Sequence, residues 1–66
     1  MTLFLNGEAV TLTARLTVAQ LLDQRGLPRV GLAVERNRGI VPKSLYSVTE
    51  LAEGDRIEIV QFVGGG

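Results

Sequence analysis

The residues of this sequence best suited to chemistry are Gln61-Phe62-Val63-Gly64-Gly65-Gly66. Glycine makes up roughly 7% of an average protein, so three in a row at one place arise by chance only on the order of a few times in ten thousand. Lacking a Cβ, such a run is thin, reaches backbone angles closed to other residues and fits a narrow channel. Extended from Phe62 to Gly66 it spans about 13 to 14 Å at ~3.3 to 3.6 Å per residue, enough to carry a carboxylate from a docked domain into a buried site. The expected functional group is therefore the Gly66 carboxylate, with Gly65 and Gly64 as its lead. A carboxylate is a poor electrophile, because its charge is delocalised and its leaving group would be oxide. Acyl chemistry on it requires activation, which ATP can supply by forming an acyl-adenylate.

Little else in the chain could react. With no cysteine and no histidine it has no thiolate nucleophile, imidazole base, disulfide or Cys/His zinc site. Ser44 and Ser47 have no base to activate them. The expectation is a protein without an active site or cofactor of its own, on which partner enzymes act. Seven basic and seven acidic residues cancel and are scattered along the chain, which is not a nucleic-acid footprint. No apolar run approaches the ~20 residues that span a bilayer. The start has no basic n-region and breaks at Asn6, so it does not read as a signal peptide, and a cytoplasmic location is expected.

The elements that must position the glycines are legible as one small domain over residues 1–63, with 64–66 as a flexible tail. Asn6-Gly7 between two alternating runs predicts a β-hairpin pairing Leu5 with Glu8 and Leu3 with Val10. That register puts Leu3, Leu5, Val10 and Leu12 on the core face and Phe4, Ala9 and Thr11 on the other. Thr17 and Gln20 form a T-x-x-Q capping box, Leu16 can staple onto Leu21, and Val18, Leu21 and Leu22 follow helical spacing; Gly26 and Pro28 supply the stop. Gly31 to Glu35 reads as a third strand, Asn37-Arg38-Gly39 as a turn, and Ile40-Val41 as a strand stub ended by Pro42. Residues 44–51 read as irregular, although Ser47 and Glu50 mimic a capping box. After a turn at Glu53-Gly54-Asp55, the run from Arg56 to Val63 reads as the last strand, with Ile57 and Ile59 inward.

This order predicts an α+β domain in which one helix covers one face of a sheet. The other face stays open, and Phe4, Ala33, Val60 and Phe62 fall on it by alternation. Such a patch marks a protein interface, so Phe4, Val60, Phe62 and the adjoining Val63 are the expected partner-binding residues.

The Asn6-Gly7-Glu8 hairpin, Val18 to Leu22, Ala33-Val34 followed by Asn37 and Ile40-Val41-Pro42, Glu53 to Val60, and the closing Val63-Gly64-Gly65-Gly66 together resemble the sulfur carrier proteins of thiamine biosynthesis, the ThiS family. The resemblance covers the whole chain and is specific through the glycines combined with the order of elements. It implies a ubiquitin-like β-grasp fold, with a mixed sheet of four to five strands covered on one face by one helix. It further implies that an E1-like adenylyltransferase adenylates Gly66 with ATP. A cysteine desulfurase or other persulfide donor then supplies sulfur for a thiocarboxylate, and thiazole synthase receives it. Many relatives show only a glycine pair, so Gly65 and Gly66 carry the match and Gly64 is extra slack. Three other readings stay open at this point: the small subunit of molybdopterin synthase, a ubiquitin-like modifier attached to target lysines, and a plain interaction module with an inert tail. Lys43, the only lysine, would limit chain building by such a modifier.

Overall fold

The computed structural model describes residues 1–62. Its first element follows from the Asn6-Gly7 turn, where both residues take positive φ (49° and 84°), as a type I′ turn requires. Strand β1 (Thr2–Leu5) thereby folds back on β2 (Glu8–Thr11) with Leu5 opposite Glu8 and Leu3 opposite Val10, the expected register. Leu3 and Leu12 are buried, and Leu5 and Val10 pack against the core from its edge.

Helix α1 (Val18–Gln24) starts on the capping box: Gln20 N–H donates to Thr17 Oγ1 (3.2 Å) and Thr17 N–H to Gln20 Oε1 (2.9 Å). A helix N-terminus leaves four N–H groups without intrahelical partners. The other two here are Val18 N–H, which donates to the Thr49 carbonyl, and Ala19 N–H, which donates to the Tyr46 carbonyl, both at 2.9 Å. The helix ends in a Schellman motif, with Gly26 N–H on the Asp23 carbonyl, Leu27 N–H on the Leu22 carbonyl, and Gly26 at φ 70°.

Strand β3 (Leu32–Arg36) pairs antiparallel with β4 (Gly39–Val41), and β5 (Arg56–Gln61) closes the sheet. The strand order is β2-β1-β5-β3-β4, with β1 and β5 parallel and the other pairs antiparallel. The sheet is therefore mixed and has β5 at its centre. Leu3, Val18, Leu21, Leu22, Val34 and Ile57 are fully buried between sheet and helix.

Three local expectations need correction. The turn after β3 has two residues, Asn37 and Arg38, at φ 52° and 73°; Gly39 is already in β4, opposite Arg36. The segment 44–51 is more built than expected: a 3-10 turn (Lys43–Leu45) leads into buried Tyr46 and Leu51. This segment supplies acceptors for the helix N-terminus, and Leu51 N–H donates to the Leu16 carbonyl at 2.9 Å. The resemblance of Ser47 and Glu50 to a capping box is thus accidental, since no helix follows them. The last strand is described as ending at Gln61, short of the expected Val63.

Candidate functional site: the open sheet face and the end of β5

Strand β5 leads to the glycines, so its placement decides where they start. Ile57 and Ile59 point into the core while Arg56, Glu58 and Val60 face outward, the period-2 alternation of a half-buried strand. Its start is held by a buried polar cluster. Asp55, 6% exposed, accepts from Arg36 Nε (2.7 Å), Asn37 Nδ2 (3.1 Å) and Ala52 N–H (2.8 Å). Burial by itself pushes the Asp55 carboxyl up, but the Ala52 N–H, the Asn37 amide and the Arg36 guanidinium hold it below the ordinary carboxylate range. Asn37 also receives Arg56 N–H on Oδ1 at 2.9 Å and donates its own N–H to the Arg56 carbonyl at 2.8 Å.

Its far end is held from both sides. Toward β1, the Asn6 side chain takes Ile59 N–H on Oδ1 (2.8 Å) and reaches the Ile59 carbonyl with Nδ2 (3.4 Å). Toward β3, Phe62 N–H donates to the Gly31 carbonyl at 2.8 Å. Each asparagine of a positive-φ turn thus also grips β5.

The face away from the helix divides into rows. Val60 lies opposite Ala33, and the exposed Phe62 (65%) follows two residues on; these expected site residues come together. Phe4, 41% exposed, does not join them, because it pairs with Arg56. That places it four residues along β5 from Val60, about 13 Å at ~3.3 Å per residue. Between the two lies an acidic row, Glu58 directly opposite Glu35. The single patch expected from alternation is therefore two patches. Ile40, 65% exposed and opposite Glu35, ends the acidic row on the β4 side. The sequence reading named Ile40 only as part of a strand stub; the signal that could have found it is that Val41 points inward, so its neighbour points out. Phe4, Gly7, Arg56 and Glu58 line a separate notch of about 250 Å³. Val63, Gly64, Gly65 and Gly66 lie outside the described residues. Among the described residues no group of His, Cys, Asp or Glu side chains could hold a metal ion, and no helix is long and apolar enough to cross a membrane.

A mixed sheet in the order β2-β1-β5-β3-β4, with its helix between β2 and β3 in the chain and packed on one face, is a ubiquitin-like β-grasp domain. A family model described as "ThiS family" matches residues 3–66, and the chain belongs to that family. It is 47% identical over its full length to a thiazole synthase of Paramagnetospirillum magneticum, of which it spans only 20%. It is 32% identical to the sulfur carrier protein ThiS of Escherichia coli, with 100% of both chains covered. The crystal structure of a thiamine biosynthesis protein (ThiS) from Geobacter metallireducens superposes over 100% of both chains with a TM-score of 0.86 at 29% identity.

Proposed function

We propose that the chain is a sulfur carrier of thiamine biosynthesis, not an enzyme but a protein co-substrate, and that Gly66 is its reacting residue. The observation that carries this reading is a family match running through the β-grasp domain to residue 66, so that it takes in all three glycines. The absence of cysteine and histidine supports it, because sulfur held on Gly66 itself needs no side chain. Residues 1–63 act as the docking domain and 64–66 carry the reacting end, in the cytoplasm.

The Gly66 carboxylate attacks the α-phosphorus of ATP on an adenylyltransferase, forming the acyl-adenylate and releasing pyrophosphate. The terminal sulfur of a persulfide, from a cysteine desulfurase or another donor, attacks the acyl carbon, and AMP leaves. A thiol then attacks the enzyme-bound sulfur of the resulting acyl disulfide, forming a disulfide and releasing the thiocarboxylate. The thiocarboxylate sulfur next adds to an electrophilic C=O or C=N carbon of the thiazole precursor, and water cleaves the acyl–sulfur bond, leaving sulfur on the precursor and restoring the Gly66 carboxylate. The stretch similar to this chain in a thiazole synthase supports that enzyme as the receiving partner. Val60 and Phe62, with Val63 after them, dock the carrier beside the tail; Phe4 makes a second contact across the acidic row.

Intact mass after incubation with adenylyltransferase, ATP, a persulfide donor and a thiol tests the reading. Exchange of one oxygen for one sulfur is expected. Attachment to a second protein, or an unchanged mass, contradicts it.

A further inference from the structure

The parallel register of β1 on β5 ends with Leu5 opposite Ile57, and the last backbone bond between them is Asn6 N–H on the Ile57 carbonyl at 2.9 Å. The next rung is made by a side chain. Asn6 presents its amide to the N–H and the carbonyl of Ile59 as a further residue of β1 would have presented its peptide group. Among the described residues Asn6 is the last group of the hairpin to hold β5, since beyond it Leu5, Asn6, Arg25, Leu27, Ile59 and Gln61 surround an open cavity of about 300 Å³. On the opposite side, the Phe62 N–H bond to Gly31 fixes the strand three residues further on. Two fixed points on opposite sides of a short strand set the direction in which the chain continues.

We infer that Asn6 is a positioning residue for the reaction at Gly66: by clasping Ile59 it aims the tail, without touching the reacting atoms. The inference rests on the proposed reading of Gly66 as the reacting residue. It also gives a reason for asparagine at this turn beyond its tolerance of positive φ, which glycine and aspartate share. Those two residues therefore make the test, because Gly-Gly and Asp-Gly both fit a type I′ turn. Asn6→Gly removes the clasp, and Asn6→Asp keeps an acceptor for Ile59 N–H.

The experiment is steady-state ATP-dependent pyrophosphate exchange on the adenylyltransferase with the carrier concentration varied, alongside amide hydrogen exchange at Ile59 by NMR. Displacement by about 1 Å from near-attack geometry costs on the order of a hundredfold in rate. In Asn6→Gly, kcat is expected to fall by ~10- to 100-fold with the KM for the carrier unchanged, and the Ile59 amide to exchange faster; Asn6→Asp should restore most of both. Parental kcat in Asn6→Gly, a rise in KM alone, or unchanged protection at Ile59 overturns the positioning role. A parent chain that supports no exchange defeats the carboxylate reading beneath it, an outcome distinct from parental activity in the variant.

Discussion

Arg36 Nε donates to Asp55 Oδ2 at 2.7 Å, tying the end of β3 to the residue that precedes β5. Because the folded carboxyl sits below its ordinary value, the unfolded chain takes up the proton first as pH falls. The contribution of Asp55 is complete above the unfolded value of ~3.9 and is lost as pH drops through the lower folded one. Asp55→Ala should cost about 2 to 3 kcal/mol at neutral pH, less than the ~3 to 5 kcal/mol for breaking a fully buried pair, since Arg36 can turn to water. Urea unfolding at neutral pH and near pH 3 checks this: the gap between parent and variant should narrow in acid.

Leu21 is fully buried in the core that includes Leu3, Val34 and Ile57. Leu21→Ala should cost about 2 to 5 kcal/mol, a large share of the ~5 to 15 kcal/mol of a native domain. Thermal melting measures it, and a loss within ~0.5 kcal/mol would place Leu21 with surface positions instead.

The division of the open face has a thermodynamic signature. Phe62→Asp should weaken binding to the adenylyltransferase while leaving the melting curve intact, because Phe62 is 65% exposed and a charge there must be desolvated on docking. Phe4→Ala and Phe62→Ala should act additively on affinity within ~0.5 kcal/mol, since the two lie more than ~10 Å apart. Calorimetric titration of the single and double variants is the measurement; a large coupling term would mean that one contiguous patch is recognised.

Arg38 occupies a left-handed position, φ 73°, in the two-residue turn between β3 and β4. A residue with a Cβ there costs about 1 to 2 kcal/mol, whereas glycine brings extra unfolded-state freedom worth ~0.5 to 1 kcal/mol. Arg38→Gly should therefore stabilise the domain by up to ~1 kcal/mol, read as a higher midpoint in urea.

What was legible in the sequence was local. Asn6-Gly7 set its own register, and Thr17 with Gln20 set the helix start, because turn and cap chemistry act over a few residues. At Asn37-Arg38-Gly39 the glycine drew the turn one residue too far, since nothing local reveals that Arg38 accepts the strained position. Tyr46 and Leu51 were missed because their segment has no period; it is ordered by acceptors it offers to Val18 and Ala19 and by the Leu51 bond to Leu16. Asp55 read as a turn residue because its partners Arg36 and Asn37 are 19 and 18 positions away. On the open face, alternation assigned Phe4 and Val60 to the correct side, and Phe62 is exposed just past the end of β5. Their separation depends on the offset of β1 against β5, a non-local pairing that periodicity does not contain.

The central claim is that the Gly66 carboxylate is the group that reacts. Appending one alanine after Gly66 moves the carboxylate by ~3.3 to 3.6 Å and adds a Cβ where a narrow channel has no room, while folding, which rests on residues far from the tail, should be unaffected. ATP-dependent pyrophosphate exchange with the adenylyltransferase should fall by at least ~100-fold. Activation of the extended chain as fast as the parent would contradict the account, because the carboxylate of Gly66 would then not be the site of adenylation.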